Sequence, residues 1–443
     1  MDATLALLGC AAVLIALVAP GLAADLIPTP EFRDHDIPVA EPPDPDSLAW
    51  EWINVVVLLA ALSLASYFAL VNRSRRNLFV LAIASLIWFG FVRDGCVCSI
   101  GATQNVSLAL FDSTYVIPVT VVAIFVLPLI FTLFFGRTFC AAVCPLGAMQ
   151  ELVAVRPLRV PAWIDHSLGL APYIYLGAAV IYAATNTGFV ICRYDPFVAM
   201  FRLEGDLNML VFGACVLGLG LFIGRPYCRY LCPYGAILGL LSKVSKWHAK
   251  ITPDECIQCR LCEQSCPYGA IRGPTVPLAR EIRPFARLRL AGLLLLAPVL
   301  IVAAAGLGAL LAVPISRLDP NMRLAERLRL EDTGMVQDTT DASEAFRNTG
   351  RSTAKLYQWA RDRQDHFTTL GGWLGAWVGL VVGVKLISLS VRRKRMDYEP
   401  DRTRCVACGK CYWYCPCEQV RLGLISDVSE MVDMEALEAQ KEK

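Results

Sequence analysis

The 443-residue sequence has the composition of a membrane protein, with 56% hydrophobic residues, 18% charged residues and a net charge of +2. These values exclude a chain made mainly of soluble domains, in which roughly a quarter of the residues are charged. The four histidines lie outside the middle of every apolar span, and no C-x-x-C-H occurs. A bis-histidine haem within the membrane and a c-type haem are therefore also excluded.

The first fifty residues predict an export signal followed by an exposed connection. Residues 1–24 are apolar and end in small residues, which is typical of a signal peptide, although an uncleaved N-terminal helix fits equally. Residues 25–50 are rich in proline and acidic residues and have no apolar periodicity. We expect them to form a solvated, exported linker.

Seven further apolar segments predict a mostly α, polytopic helical membrane protein. They lie at about 53–71, 77–92, 115–135, 168–187, 207–223, 290–313 and 370–390. Most of them reach the roughly 20 residues that a helix needs to cross a bilayer. The pattern predicts a transmembrane core over 51–250 and further spans over 285–315 and 370–392.

Basic residues predict the orientation of these spans, because cytoplasmic loops carry an excess of Lys and Arg. They follow the first, third, fifth and seventh segments: Arg73, Arg75 and Arg76; Arg137, Arg156 and Arg159; the run 225–250; and the run 392–395. We therefore expect a multi-pass protein of the bacterial inner membrane. The loop 316–369 is then exported, with amphipathic helices at 323–330 and 354–359, and the tail 393–443 is cytoplasmic.

Two cysteine runs predict iron–sulfur clusters. Each has the spacing C-x2-C-x2-C-x3-C followed by proline, the run found in bacterial [4Fe–4S] ferredoxins. The first lies in segment 251–284 and the second in segment 393–443; their cysteines are Cys256, Cys259, Cys262 and Cys266, then Cys405, Cys408, Cys411 and Cys415. Zinc or disulfides are the alternatives, but zinc sites favour two separated C-x2-C pairs.

Eight thiolates suit two [4Fe–4S] clusters, and both runs are expected on the cytoplasmic side. They can therefore form one split ferredoxin-like module, in which Cys266 completes the second cluster and Cys415 the first, as in two-cluster ferredoxins. The alternative is two independent clusters, each bound by its own run. Cys417 is left without a role.

A repeated loop supplies four more cysteines. The pattern G-R-x-[F/Y]-C-x3-C-P-x-G-A begins at Gly136 and again at Gly224, each time after an apolar segment. Its cysteines are Cys140, Cys144, Cys228 and Cys232. If the two repeats pack as symmetric halves, these thiols form a further iron–sulfur or iron site at the membrane surface. Alternatively, they are reduced packing residues beside a tight turn.

Three cysteines lie at the opposite ends of the spans. Cys96 and Cys98 follow the second apolar segment, and Cys192 follows the fourth. One of the pair can bridge to Cys192 by a disulfide, or all three can hold an iron site that completes a path across the membrane. Cys10 and Cys215 lie within apolar runs and are expected to be small buried side chains.

The two repeated loops followed by ferredoxin runs resemble membrane polyferredoxins of the NosR/NapH type. The resemblance covers about residues 53–270 and the C-terminal run. It implies electron supply, from a quinol or another donor, to respiratory reductases or flavoproteins outside the membrane, with clusters on both runs. It also implies electron transfer or partner contact at the C-x3-C-P cysteines. NosR-like members carry an exported domain with FMN bound covalently to a threonine in an SGATxT-like signature. The nearest match in this sequence is segment 99–105, which lacks the terminal threonine of that signature and any surrounding domain. Covalent FMN is therefore not expected.

These features predict an integral membrane electron-transfer protein. It would pass electrons between a quinol or ferredoxin-type donor and an exported flavoprotein or reductase, as a carrier or as a quinol dehydrogenase subunit, with no catalytic side chain of its own. Nucleic acid is not expected as a partner. The alternative from another class is a redox sensor or assembly factor that uses its clusters as reporters.

Overall fold

The computed structural model is almost entirely helical over the residues that it describes. Those residues are 47–95, 98–155, 158, 160–202, 207–251, 256–275, 283–317, 319–391 and 395–433. This described part does not include residues 1–24 with Cys10, nearly all of the linker 25–50, or Cys96. The predictions made for them are therefore untested. The mostly α fold class is confirmed.

The described chain forms two compact units. The larger contains Ser47–Phe285 and Val391–Lys443, and the smaller contains Ala286–Ser390. Both ferredoxin runs and both C-x3-C-P loops therefore belong to the larger unit, although the second ferredoxin run follows the smaller unit in the chain.

The larger unit is built from helices joined by short turns. Its membrane-core helices are α1 Leu48–Leu70, α2 Arg75–Ser85 (continued by a π-helical stretch, Leu86–Val92), α3 Ser99–Phe111, α4 Val119–Phe135, α5 Thr138–Ala142, α6 Pro145–Val153, α7 Ala162–Leu168, α8 Ala171–Ala184, α9 Val190–Arg193, α10 Pro196–Arg202, α11 Leu207–Gly220, α12 Pro226–Tyr230 and α13 Pro233–Ser242. The ferredoxin segments add α14 Leu261–Ser265, β1 Ile271–Arg272, β2 Glu399–Pro400, α19 Lys410–Trp413, α20 Pro416–Arg421 and a 3₁₀ turn, Val428–Glu430.

Helix α1 shows how these apolar helices pack. Leu58, Leu62 and Ala65 lie one helical turn apart and are buried, whereas Val56 and Leu64 on the other side are exposed. Exposed aliphatic side chains along one face of a core helix suit contact with lipid. Because lipid is as apolar as leucine, close packing and hydrogen bonds must hold the buried face.

Among the residues that the structure describes, five helices are long and apolar enough to cross a membrane, or six if a bent pair is one span. The long ones are Leu48–Leu70, Arg75–Val92, Ala162–Ala184, Arg287–Ser316 and Thr353–Ser390; the bent pair joins Pro196–Arg202 to Leu207–Gly220. The remaining predicted span corresponds to the 17-residue helix Val119–Phe135, which is shorter than these. Polytopic character is thus supported, while the count of seven stays a prediction.

The two C-x3-C-P loops have the same secondary structure. In each, a short helix carries the first cysteine (α5 or α12) and a longer helix begins directly after the second (α6 or α13). Cys144 and Cys232 are the N-cap residues of these longer helices, and the prolines that follow occupy the first helical turn. Proline is favoured there because its missing N–H would have had no helical partner.

The smaller unit pairs two long helices, α15 Arg283–Ser316 and α18 Thr353–Ser390. They approach closely at glycines: a Cβ on Gly379 would stand 2.7 Å from the carbonyl oxygen of Leu300. Between them lie α16 Pro320–Asp332 and α17 Asp341–Asn348, which bury Leu324, Leu328 and Phe346 together. The expected loop over 316–369 is therefore helical, with longer helices than its apolar pattern indicated.

Candidate metal centres

The two ferredoxin runs fold into the same backbone conformation. The residue before the second cysteine has a positive φ in both runs, 60° at Gln258 and 53° at Ala407. The residue after that cysteine does as well, 63° at Arg260 and 82° at Gly409. Left-handed residues are uncommon outside glycine, and four at matching positions indicate that both loops wrap an object of the same shape.

Backbone pairing joins the two runs into one module. Strands β1 and β2 are antiparallel, with Ile271 opposite Pro400 and Arg272 opposite Glu399. Helix α14 of the first run packs against α19 of the second. The module is therefore assembled from segments that are distant in the sequence, as predicted for a split ferredoxin.

The cysteines separate into two groups, each containing one cysteine from the other run. A cavity is lined by Cys266 together with Cys405, Cys408 and Cys411, which we call the second cysteine group. Burial, followed by charges that include Cys408 and Cys266, raises the pKa of Cys405 to about 12.

The first cysteine group forms around Cys262 and Cys415, which share a small buried cluster. Its members are Cys256, Cys259, Cys262 and Cys415. Burial of the thiol raises the pKa of Cys262 to about 12, and the neighbouring sulfurs of Cys259, Cys256 and Cys415 add to this electrostatically. This grouping favours the exchange of the fourth cysteines over two independent sites.

Each group has four thiols, the number that a [4Fe–4S] cluster requires. In the second cysteine group, backbone N–H groups point at the sulfurs: Ala407 donates to Cys405 Sγ at 3.4 Å and Ala270 to Cys266 Sγ at 3.4 Å. Such bonds tune cluster potentials. Among the described residues, no three His, Cys, Asp or Glu side chains are placed to hold a single metal ion.

Cys417, to which the sequence assigned no role, lies beside the first cysteine group. It packs against the small buried cluster that contains Cys262 and Cys415. The Cys-Pro-Cys order explains the position, because Pro416 begins helix α20 and Cys417 follows in its first turn.

A buried carboxylate connects the ferredoxin module to the membrane core, and sequence reasoning missed it. Glu151 in α6 pairs with Arg75 at 2.9 Å, with Arg225 at 3.2 Å and with Lys410 at 3.2 Å, and it accepts a hydrogen bond from Tyr268. Burial raises the pKa of Glu151, but the charges of Arg225, Lys410 and Arg75 outweigh it and hold that pKa well below the ordinary value. The signal in the sequence was one acid within an apolar helix.

Two further carboxylates make the same connection. Asp165 binds Arg229 of the second C-x3-C-P loop, with an Nε–Oδ1 distance of 2.9 Å, and also Arg404, the neighbour of Cys405. Glu418, which is fully buried, pairs with Arg73 at 2.7 Å. Arginines that the sequence marked as orientation signals therefore also hold the ferredoxin module in place.

The arginines of the two G-R motifs cross to the opposite repeat. Arg225 donates to the backbone oxygens of Cys140 and Ala141 in the first repeat. A Cβ on Gly147 would stand 3.1 Å from Nη1 of Arg225, and a Cβ on Gly235 would stand 3.3 Å from Nη2 of Arg137. The glycine of each motif thus leaves room for the arginine of the other.

This crossing brings the four C-x3-C-P thiols together, and we call Cys140, Cys144, Cys228 and Cys232 the core quartet. Burial, then Cys228 and Cys140, raises the pKa of Cys144 well above its usual range. The pKa of Cys232 is also raised well above its usual range, mainly by burial and then by the neighbouring sulfurs of Cys228, Cys144 and Cys140. The two repeats therefore supply two thiols each to one buried place.

Cys98 and Cys192 lie on either side of Gly101. The N–H of Gly101 donates to Cys98 Sγ at 3.4 Å, and a Cβ on Gly101 would stand 3.1 Å from Cys192 Sγ. Neither thiol forms a disulfide with a described residue, and Cys96 lies outside the described residues. Cys98 also packs against the apolar core that contains Cys140, Cys144 and Cys232.

Comparisons with known proteins agree with this cysteine chemistry. Sequence models described as "4Fe-4S binding domain" match residues 117–164 and 206–252, which include both C-x3-C-P pairs, and residues 249–272, which include the first ferredoxin run. No solved structure matches the chain.

Three relatives are similar to part of the chain. Protein NirI of Paracoccus denitrificans is 31% identical over 230 residues, which is 48% of this chain and 34% of NirI. YccM of Escherichia coli, whose name describes an electron transport protein, is 28% identical over 153 residues, or 31% of this chain and 43% of YccM. Regulatory protein NosR of Pseudomonas aeruginosa is 31% identical over 145 residues, or 29% of this chain and 20% of NosR. The matches thus span less than half the length of each of these relatives.

Proposed function

We propose that this chain, a membrane 4Fe–4S protein of the NosR/NapH type, relays electrons through a split two-cluster ferredoxin module to an acceptor across the bilayer. The observation that carries the proposal is the pairing of the two cysteine groups within one module that is bound to apolar helices. Membrane iron–sulfur electron transfer agrees with the relatives named above. The specific donor, acceptor and direction are part of the proposal.

The order of the two proposed clusters follows from their surroundings. Cys266, Cys405 and Cys408 of the second group pack against the main apolar core, which includes the membrane helices. Cys262 and Cys415 of the first group lie in a separate small cluster. Each [4Fe–4S] cluster carries one electron at a time, so the second cluster is the one that exchanges electrons with the membrane core.

The ferredoxin module is proposed to lie in the cytoplasm, and the acceptor outside. Arg73, Arg75, Arg225 and Arg229 support this orientation, because each follows or flanks an apolar segment on the side of the module. An exported flavoprotein or reductase is the proposed acceptor, and loop 316–369 is proposed to lie on its side of the membrane.

A quinol is the proposed donor, and His248 is proposed to receive its proton. His248 lines a cavity that also contacts Gly136, Arg137 and Cys405, next to the end of apolar helix α4. Its Nδ1 is buried without a hydrogen-bond partner. The cavity is water-sized, so a proton from a quinol at the end of α4 is proposed to reach His248 through a water. Burial, followed by the charges of Arg402 and Lys250, lowers the pKa of His248, so that the neutral ring can accept that proton.

Replacing His248 by alanine is expected to slow quinol-driven cluster reduction about 100-fold, the lower end of the usual contribution of a general base. Each quinol releases two electrons and two protons, and each cluster accepts one electron. Stopped-flow absorbance of the clusters measures the rate. Reduction by dithionite should be unchanged, because it needs no proton acceptor. His366→Ala in α18 is the control, and an equal rate in both variants would refute the role of His248.

Purified protein in sealed vesicles is expected to pass electrons to a membrane-impermeant acceptor on the side opposite the ferredoxin module. Quinol in the membrane supplies the electrons, and acceptor absorbance measures arrival. Cys408→Ser should abolish transfer because it removes a proposed ligand of the cluster nearest the membrane. A protein that binds both clusters but delivers no electrons would instead be a redox sensor or assembly factor.

A further inference from the structure

A buried hydroxyl group in the ferredoxin module lacks a hydrogen-bond partner within the described part of the chain. It belongs to Tyr412 in α19, the residue directly after the third cysteine of the second run, which is 1% exposed. Its oxygen is buried, and no described residue forms a hydrogen bond with it. Buried polar atoms nearly always have a partner, so this hydroxyl indicates that a further acceptor belongs beside it.

The position of the hydroxyl indicates which acceptor that is. Tyr412 and Gly409 both line the cavity of the second cysteine group. A Cβ on Gly409 would clash with the hydroxyl oxygen of Tyr412, so the hydroxyl lies against the turn between Cys408 and Cys411. A [4Fe–4S] cluster held by these cysteines has sulfur atoms that accept hydrogen bonds. The O–H group of Tyr412 is therefore placed where it can donate to one of them.

Two arginines of the membrane core hold the ring and the turn in place. The guanidinium of Arg73 lies over the Tyr412 ring, 4.9 Å from its centre. Arg75 Nη1 donates to the backbone oxygen of Cys408 at 2.8 Å. Because the ring and the turn are both fixed, the hydroxyl cannot rotate into solvent to find another partner.

The first run has neither feature at the equivalent positions. Glu263 follows its third cysteine, and Arg260 takes the place of Gly409, with a φ of 63° where Gly409 has 82°. A carboxylate accepts hydrogen bonds but cannot donate them, and its negative charge opposes the addition of an electron nearby. A long side chain at position 260 agrees with this difference, since no tyrosine hydroxyl follows that needs the space.

We propose that the Tyr412 hydroxyl donates a hydrogen bond to a sulfur of the second cluster and thereby raises the reduction potential of that cluster above that of the first. A hydrogen bond to a cluster sulfur favours the reduced state, because that state carries one more negative charge. This inference rests on the proposed electron-transfer function and gives the module a direction. One electron moves from the first cluster, which is oxidised, to the second cluster, which is reduced.

A redox titration of Tyr412→Phe, followed by electron paramagnetic resonance, tests the proposal. The signal of the second cluster is the one that Cys408→Ser lacks. Phenylalanine keeps the ring and its contact with Arg73 but removes the O–H group, so the iron content should equal that of the unmodified protein. At a fixed solution potential, the ratio of reduced to oxidised second cluster should fall about fivefold. For one electron this is a midpoint potential about 40 mV lower.

Tyr414→Phe is the matched control, because it makes the same change two residues later in a residue that is 48% exposed, and its potentials should be unchanged. Electron–nuclear double resonance should show one exchangeable proton fewer at the second cluster in Tyr412→Phe alone. An unchanged or higher midpoint potential in Tyr412→Phe, iron loss from it, or a first cluster that is reduced at the higher potential would refute this inference and leave the proposed function standing. If Cys408→Ser kept every cluster signal, the proposed function itself would be wrong.

Discussion

Replacing two cysteines of the ferredoxin runs together should remove either four or eight irons, depending on which pair is chosen. Cys259→Ser with Cys415→Ser should cost about four irons, because both belong to the first cysteine group. Cys259→Ser with Cys266→Ser should cost about eight, although both lie in the first run, because Cys266 belongs to the second group. Iron and acid-labile sulfide assays on the purified double variants measure the difference.

Independent clusters would give the reverse result. Cys259 and Cys266 would then serve the same cluster, and their double variant would lose only about four irons. Each single variant, Cys259→Ser, Cys266→Ser or Cys415→Ser, should lose about four under either scheme and is the control that each cysteine is a ligand. The exchange is expected because Cys266 lines the cavity of Cys405, Cys408 and Cys411.

Replacing Glu151 by glutamine should destabilise the larger unit by about 3–5 kcal/mol, the usual effect of removing one partner from a buried ion pair. Glutamine keeps the shape of the side chain but not its charge. Arg75 and Lys410 have part of their surface exposed and can turn to solvent, whereas the Arg225 side chain is 2% exposed and cannot. The temperature at which cluster absorbance bleaches measures the loss.

Glu399→Gln is the matched control, because it makes the same change in the same module at an exposed position. Equal bleaching temperatures in the two variants would show that Glu151 does not hold the module to the core. Since the pKa of Glu151 is lowered in the folded protein, its contribution is present at neutral pH and is lost only as the pH falls through that lowered pKa.

The crossed arginines explain why the motif glycines cannot be exchanged freely. Gly147 and Gly235 occupy equivalent positions in the two repeats, and each has the guanidinium of the opposite repeat against its Cα. A side chain at either position would displace a buried arginine and, with it, the ion pair of Glu151 or the contact between Arg137 and Cys140.

Several features of this protein were determined by the sequence alone. The spacing of Cys256–Cys266 and Cys405–Cys415, each followed by proline, predicts cluster binding, because the thiolates of one cluster must come largely from one short loop. Apolar segments about 20 residues long predict membrane helices, because a span must satisfy its own backbone. The repeated G-R-x-[F/Y]-C-x3-C-P pattern predicts two equivalent loops. Each of these is a local property, which a short stretch of chain carries by itself.

Only the tertiary structure decided which parts of these patterns meet. The spacing of the two runs is compatible with either cysteine pairing, and only the packing of the module brings Cys266 to Cys405. The sequence placed Cys98 apart from the C-x3-C-P thiols, at the other ends of the spans, whereas in the structure Cys98, the N-cap of helix α3, packs against the apolar core that contains Cys140, Cys144 and Cys232. Glu151 and Arg225 are ordinary charged residues in the sequence. Their role arises from contacts between segments more than 70 residues apart. No local pattern specifies such contacts, because the free-energy cost of burying each charge depends on the distant partner that balances it.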